Sequence, residues 1–173
     1  SDRLFSIAES DPGRELIYDP VYGRISYAQA AEQVERLAYG LSNLDIGHGD
    51  VVIIQLPNWA PFMILHMALS AIGAVTAMIP IVYREHELTG VIKLTQAKAL
   101  VVPRHFHHFD YATMANSLRQ NVATLEHVIL VGGDTADDSS KSVSYEHLML
   151  EPWEARGGLA SLESLKPSSK DVT

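Results

Sequence analysis

Apolar stretches separated by turn-forming residues alternate along most of the chain. The central stretch, residues 49–80, reads GDVVIIQLPNWAPFMILHMALSAIGAVTAMIP. Residues 51–56 are almost uninterruptedly apolar and rich in β-branched side chains, which is typical of a strand buried on both faces. Residues 59–72 are apolar on most faces and predict a deeply packed helix. A second apolar run at 75–79 completes a strand–helix–strand unit, which predicts two parallel strands in one sheet.

Two helix starts carry capping signals. Asn58 is the predicted N-cap of the central helix, because its side chain can accept a hydrogen bond from a free backbone N–H. Pro61 then lies in the first turn, where its missing N–H costs little. An earlier helix begins at Ser26, with Gln29 placed to complete a capping box. Its apolar face is formed at helical spacing by Tyr27, Ala30, Val34, Leu37, Ala38 and Leu41.

The remaining pattern repeats the alternation of strands and helices. Turn residues around Asp19-Pro20 predict a hairpin near the start of the chain. Beyond Pro80 the pattern predicts a helix over 85–96, a strand over 99–103, a helix capped by Asp110, and a strand over 127–131. The expected fold class is therefore α/β, with a largely parallel sheet and helices on both faces. Ligands of such sheets bind beyond the carboxyl ends of the strands.

The chain changes character after Gly133. Residues 134–142 form a polar stretch, and 145–150 predict only a short helix. Residues 151–173 hold scattered leucines among Gly, Ser and Lys, too few to pack alone. We therefore expect residues 1–150 to form an incomplete α/β subdomain and residues 151–173 to be a linker.

Composition excludes several classes of protein. The 173 residues carry 13 Lys and Arg against 21 Asp and Glu, a net charge of −8, which argues against general binding to nucleic acid. The chain has no cysteine, so disulfides and Cys-based metal sites are excluded. The pattern indicates neither a transmembrane segment nor a signal peptide, and we expect a cytoplasmic protein. A chain beginning with Ser is expected to be an excised piece.

Four segments in this order resemble the amino-terminal part of the AMP-forming acyl-CoA synthetases, within the adenylate-forming superfamily. They are GRISYAQAAEQVERLAYGL, IGHGDVVIIQLPNWAPF, LSAIGAVTAMIPIVYREHEL and FDYATMANSLR. The segments REHEL, VVP and FDYATMANSLR are similar to the branch acting on medium-chain or alicyclic acids. Each motif alone is weak, and the order of the four carries the resemblance.

The resemblance implies an enzyme that activates a fatty or alicyclic acid with ATP and Mg²⁺ as acyl-AMP and transfers the acyl group to CoA. The phosphate loop, the adenine- and ribose-binding residues and the small carboxy-terminal domain of that family do not occur in this sequence. We therefore expect the isolated chain to be inactive. Its partners would be a small carboxylic acid, ATP and CoA, and an apolar face left uncovered would favour a homodimer.

The most unusual polar cluster is Arg104-His105-Phe106-His107-His108, directly after a predicted strand. One interpretation is a solvated loop. By resemblance, Arg104, His107 and His108 are candidates for binding a phosphate of CoA. Metal binding is a third interpretation, although no third ligand is evident beside the paired histidines.

Three further residues are candidates for the substrate side. Trp59 could line an acyl tunnel or anchor the start of its helix. Tyr83 and Arg84 follow a strand end, where ligands bind in parallel sheets. No metal site and no catalytic residue is predicted. The alternatives are a ligase that stops at acyl-AMP or loads a carrier protein, and a non-catalytic α/β binding module.

Overall fold

A computed structural model describes residues 2–133 and 142–150, the last of them by its backbone alone. The chain divides into two compact units. Within the described residues, the first unit comprises 2–48 and 58–74, and the second comprises 49–57, 75–133 and 142–150. The predicted linker 151–173 and most of the polar stretch 134–142 lie outside the described residues.

The first unit is a helical layer with one hairpin. Its elements are α1 (Asp2–Ser10), β1 (Glu15–Asp19), β2 (Gly23–Ser26), α2 (Tyr27–Asn43) and α3 (Ala60–Ala71). Strands β1 and β2 pair antiparallel, as their turn residues predict. Helix α2 contacts both α1 and α3. The apolar face predicted for α2 is buried except at Tyr27, which is half-buried, and Ala30, Val34 and Leu37 are fully inaccessible.

The capping box at the start of α2 is confirmed. The hydroxyl of Ser26 accepts a hydrogen bond from the backbone N–H of Gln29 at 3.3 Å. The Gln29 side-chain oxygen in turn accepts from the backbone N–H of Ser26 at 2.9 Å. Two N–H groups that the helix leaves free are thereby satisfied.

The cap predicted for α3 is wrong. The N-cap residue is Trp59, one position after Asn58, and it makes no side-chain capping bond. The capping acceptor comes instead from the hairpin, because the carboxylate of Asp19 accepts from the backbone N–H of Ala60 at 2.6 Å. A local sequence pattern cannot reveal a cap supplied from so far away.

The second unit holds a five-stranded parallel sheet. Its strands have the order β4, β3, β5, β8, β9, and each neighbouring pair is parallel. The elements of this unit are β3 (Val51–Ile54), β4 (Val75–Met78), α4 (Glu85–Thr95), β5 (Ala99–Pro103), β6 (His105–Phe106), β7 (Phe109–Asp110), α5 (Tyr111–Asn121), β8 (His127–Val131), β9 (Val143–Ser144) and α6 (Tyr145–Leu150). The predicted α/β class with a largely parallel sheet is confirmed, whereas β9 was not predicted.

One buried cluster joins α4 and α5 to the sheet. It contains Leu88 and Ile92 of α4, Met114 and Leu118 of α5, and the strand residues Leu100, Val102, Val128 and Leu130. The strand residues that alternate with these, such as Val101 and Ile129, are also fully buried. Strands β5 and β8 are therefore buried on both faces, as their unbroken apolar runs predict.

The sheet is less protected at β4. This strand has β3 as its one neighbour within the described sheet. Val75 and Met78 remain 51% and 58% exposed, although both are large and apolar.

Among the described residues, no helix combines the length and apolarity needed to cross a membrane.

Candidate functional site

The candidate site lies in the second unit, in the segments that follow the parallel strands. Gln55 follows β3, the turn Pro80–Tyr83 follows β4, and Arg104 follows β5. Parallel pairing brings the carboxyl ends of β4, β3 and β5 to the same edge of the sheet. Ligands of open parallel sheets bind at this edge.

A cleft of about 410 Å³ opens in these segments. It is lined by Ile81, Val82, Arg84, Phe106, His107, His108, Phe109 and Tyr111. We call it the Arg84 cleft. The lining combines one guanidinium and two imidazoles with three aromatic rings, which suits a ligand that carries both an anionic group and an apolar part.

The guanidinium of Arg84 lies over two aromatic rings of the cleft. The carbon at the centre of its guanidinium is 4.1 Å from the ring centroid of Phe109 and 5.3 Å from that of Tyr111. The same guanidinium donates hydrogen bonds to the carbonyls of Ile81 at 2.8 Å and Tyr83 at 2.9 Å. The two rings and the two carbonyls together fix the position of the guanidinium, and with it the position of its positive charge.

The two histidines lie at the tip of a small hairpin. Strands β6 and β7 pair antiparallel, and His107 and His108 form the turn between them. His107 has a left-handed backbone, with φ of +52°, and its ring packs edge-on against Phe106 at 4.2 Å. Both histidines are exposed, so their N–H groups are available to an anion. The loop interpretation of this stretch is refined to a hairpin.

Asp110 fixes the hairpin to the next helix. Its carboxylate accepts from the backbone N–H of Thr113 at 3.0 Å and from the Thr113 hydroxyl at 2.7 Å, which confirms the predicted cap of α5. Partial burial opposes ionisation of Asp110, but these hydrogen bonds and the nearby His105 outweigh it and lower its pKa. The residues after His108 are thus anchored at the helix start.

Arg104 takes a different position from the histidines that follow it. It does not line the Arg84 cleft, and its side chain lies against Gly133. Its Nε is buried and has no hydrogen-bond partner among the described residues. The structure therefore separates Arg104 from His107 and His108, with which the sequence grouped it.

Gly133 leaves the space that Arg104 fills. A Cβ added to Gly133 would lie 2.6 Å from Cδ and 2.8 Å from Nε of Arg104. Gly133 also has a φ of +101°, and Gly132 a φ of +79°, values that side chains other than glycine rarely adopt. The Gly132-Gly133 pair forms a bend directly after β8.

The two remaining candidates lie outside the cleft. Trp59 belongs to the first unit, where it packs near Tyr22 with 6.1 Å between ring centroids. It lines a smaller pocket of about 190 Å³ together with Tyr18, Phe62 and Met63. Tyr83 contributes its backbone carbonyl to Arg84, and its side chain is 37% exposed. Of the six candidates, Arg84, His107 and His108 come together.

Metal binding receives no support from the geometry. The described residues contain no group of three or more His, Asp or Glu side chains able to hold a metal ion. His105 has Asp110 within 3.8 Å, but two groups do not make a site. The Mg²⁺ that the resemblance implies does not fit the part of the chain that the structure describes.

Sequence reasoning missed three residues that shape the cleft. In the sequence, Phe109 and Tyr111 are noted only as part of the FDYATMANSLR segment, and Gln55 only as part of the apolar run 51–56. Gln55 is fully buried and donates from Nε2 to the carbonyls of Pro80 at 3.0 Å and Tyr83 at 2.9 Å. A lone amide inside an apolar run was the signal for it, because buried polar side chains need specific partners.

A parallel α/β sheet with a cleft beyond its strand ends is an architecture in which many proteins bind ligands, nucleotides among them. Among such proteins, the sequence model of the AMP-binding enzymes matches residues 4–169. The chain therefore belongs to the AMP-binding enzyme family.

Individual relatives agree with this family. The chain is 33% identical over 124 residues to the 2-hydroxy-7-methoxy-5-methyl-1-naphthoate–CoA ligase of Streptomyces carzinostaticus, covering 72% of this chain and 22% of that protein. It is 37% identical over 133 residues to the salicyl-AMP ligase / salicyl-S-ArCP synthetase of Mycobacterium tuberculosis, covering 75% and 24%. The apo structure of Mycobacterium smegmatis MbtA superposes with a TM-score of 0.72 at 27% identity, covering 87% of this chain and 27% of that one. The chain thus spans about a quarter of the length of these relatives.

Proposed function

We propose that this chain is the amino-terminal part of an AMP-forming acid–thiol ligase. In the proposed reaction a carboxylate attacks the α-phosphorus of ATP, forming acyl-AMP and releasing pyrophosphate. A thiolate then attacks the acyl carbon, the thioester forms, and AMP leaves. The family match over residues 4–169 supports the reaction class, and one relative is named as a CoA ligase.

We further propose which parts of that ligase the chain contains. Residues 1–150 form the amino-terminal α/β subdomain, and residues 151–173 lead to the part that binds ATP. The phosphate loop expected by resemblance does not occur in this sequence, and the described residues offer no Mg²⁺ site. Purified as it is, the chain should release no pyrophosphate in response to any acid, whereas acid-dependent release would contradict this assignment.

The Arg84 cleft is assigned to the acceptor thiol, where it takes a phosphate of CoA. The observation that carries this assignment is the convergence of Arg84, His107 and His108 at the strand ends. Their N–H groups are donors that phosphate oxygens accept, and Phe106 and Phe109 offer apolar surface beside them. Arg104 is left out of the assignment, because it lies against Gly133.

Titration of the ¹⁵N-labelled chain tests the assignment directly. CoA should shift the side-chain N–H signal of Arg84 and the backbone signals of residues 105–111. Dephospho-CoA and pantetheine identify which phosphate is bound, because each lacks phosphate groups that CoA carries. If CoA shifts none of these signals at millimolar concentration, the cleft is not the acceptor site.

Matched variants separate the cleft from general electrostatics. Arg84→Met keeps the side-chain length without the charge, and His107→Asn keeps a residue that tolerates a positive φ. Both should weaken CoA binding about tenfold or more, the effect of losing a hydrogen bond to a charged group. Arg104→Met removes the same charge outside the cleft and should leave the affinity unchanged. An equal loss from Arg104→Met would contradict the cleft assignment.

A second candidate acceptor is a carrier protein bearing phosphopantetheine. It is favoured by the relative named as a salicyl-S-ArCP synthetase. The sequence resemblance points to a fatty or alicyclic acid, whereas the relatives are named for salicylate and a naphthoate. Acid-dependent exchange of pyrophosphate with ATP, measured on the ligase containing this chain, should rank these acids. Trp59 as a wall of the acyl site stays a prediction.

A further inference from the structure

The turn Pro80–Tyr83 contributes Ile81 and Val82 to the lining of the Arg84 cleft, and the carbonyls of Ile81 and Tyr83 hold Arg84. Ile81 accepts from the Arg84 guanidinium at 2.8 Å and from the Tyr111 hydroxyl at 2.9 Å. Tyr83 accepts from the same guanidinium at 2.9 Å. The direction of these carbonyls therefore decides where the cation of the cleft lies.

Gln55 sets the direction of two carbonyls of this turn from the inside of the protein. Its Nε2 donates to Pro80 and to Tyr83, the first and last residues of the turn. The side chain is fully buried, so water does not compete for these hydrogen bonds. One amide group thus joins the end of β3 to both ends of the turn that follows β4.

The oxygen of the Gln55 amide forms no hydrogen bond with the described residues. This oxygen, Oε1, is buried. A buried acceptor without a partner is destabilising, and a methionine or leucine of similar volume would avoid it. Gln55 therefore carries a cost that its two N–H donors must offset.

Neither carbonyl that Gln55 contacts depends on it for hydrogen bonding. Pro80 also accepts from the backbone N–H of Tyr83 at 3.1 Å, and Tyr83 also accepts from Arg84. Removing the amide would leave both carbonyls satisfied. Gln55 is therefore not needed to satisfy the carbonyls of Pro80 and Tyr83. Its contribution is to fix the direction in which these carbonyls point.

We propose that Gln55 is a positioning residue of the Arg84 cleft: it holds the turn Pro80–Tyr83 so that the guanidinium of Arg84 stays fixed against Phe109 and Tyr111. Its effect on CoA binding rests on the function proposed above for the cleft. Its effect on Arg84 does not. Gln55 acts on a ligand through Arg84.

The test is Gln55→Met, which keeps the side-chain length and removes both the donors and the unsatisfied acceptor. The unliganded ¹⁵N-labelled chain is examined first, through the Nε–H signal of Arg84. In Gln55→Met this signal should move and its heteronuclear NOE should fall towards that of a free arginine. Binding of CoA should weaken about threefold to tenfold, while the melting temperature falls by less than about 4 °C.

Ile129→Val is the matched control, because Ile129 is fully buried in β8 and does not line the cleft. It should lower the melting temperature by a similar amount and leave both the Arg84 signal and CoA binding unchanged. An unchanged Arg84 signal in Gln55→Met would overturn the proposal, whatever CoA does. If the wild-type chain does not bind CoA, the function proposed for the cleft fails, and a changed Arg84 signal still supports the role of Gln55.

Discussion

The carboxylate of Asp19 caps helix α3 from 41 residues away, accepting a hydrogen bond from the backbone N–H of Ala60 at 2.6 Å. The same carboxylate accepts from the N–H groups of Val21 at 2.7 Å and Tyr22 at 3.1 Å. Asp19 is 3% exposed, so these bonds form away from water. One side chain therefore shapes the β1–β2 turn and begins α3.

Replacing this carboxylate should destabilise the chain clearly. In Asp19→Asn, one acceptor oxygen becomes an NH₂ group that faces a backbone N–H, so a donor meets a donor. We expect the free energy of unfolding to fall by about 1–3 kcal/mol, measured by urea denaturation. The exposed Asp11→Asn removes the same charge and should have little effect. A loss as large in Asp11→Asn would attribute the change to net charge instead.

The stabilisation by Asp19 should also depend on pH. Burial opposes ionisation, but the hydrogen bonds from Tyr22, Val21 and Ala60 outweigh it and hold the pKa of Asp19 below its usual value. Its contribution is thus complete above about pH 4, the pKa of an unfolded Asp, and is lost as the pH falls through the lower folded value. The difference between wild type and Asp19→Asn should shrink on acidification. A difference that stays constant from neutral pH to pH 2 would contradict this.

Tyr111→Phe should separate packing from hydrogen bonding at the cleft. The ring is 2% exposed and its hydroxyl donates to the carbonyl of Ile81 at 2.9 Å. Loss of that bond should cost about 0.5–1.5 kcal/mol, since Ile81 keeps its bond from Arg84. The control is Tyr18→Phe, where the side chain is 64% exposed and no change is expected on thermal unfolding.

Gly133→Ala and Gly132→Ala form a matched pair. Both residues have a positive φ, so each alanine should cost about 1–2 kcal/mol in backbone strain. Only the Cβ at position 133 meets Arg104, whereas nothing lies within 4 Å of the one at 132. The Nε–H signal of Arg104 should therefore shift in Gly133→Ala and stay in place in Gly132→Ala. A shift of equal size in both variants would mean that strain, and not contact, moves Arg104.

The exposed edge at β4 should promote self-association. The strand reads VTAM, carries no charge, and leaves Val75 and Met78 more than half exposed. Edge strands of this kind pair with other chains. Sedimentation velocity should show association that increases with concentration, and Met78→Lys should reduce it. A wild-type chain that stays monomeric at high concentration would remove this expectation.

The pattern of apolar residues predicted the buried strands well, because burial determines where apolar side chains occur along the chain. The predicted strands at 99–103 and 127–131 match β5 and β8 residue for residue, since a strand buried on both faces reads as an apolar segment, which in β8 begins after His127. Strand β9 consists of Val143 and Ser144 alone, too short for any period. Its pairing with β8 is a tertiary contact that local sequence does not encode.

Three of the residues that line the Arg84 cleft could be singled out from the sequence, because polar side chains that follow a strand are conspicuous. His107 and His108 stood out as a polar cluster after a strand, and Arg84 as a cation after another. Their convergence depends on the β6–β7 hairpin, whose two-residue strands have no sequence signature. Arg104 illustrates the opposite case, because adjacency in sequence suggested a shared role and the backbone turned its side chain towards Gly133.

The two units are built from segments that alternate along the sequence, and this affects how the chain folds during translation. Residues 49–57 belong to the second unit but are translated between two segments of the first, 2–48 and 58–74. Strand β3 therefore leaves the ribosome before any of its sheet partners exists, since both β4 and β5 lie later in the chain. During translation this apolar segment must wait for its partners, and a nascent chain stalled before β5 would be a natural client for chaperones.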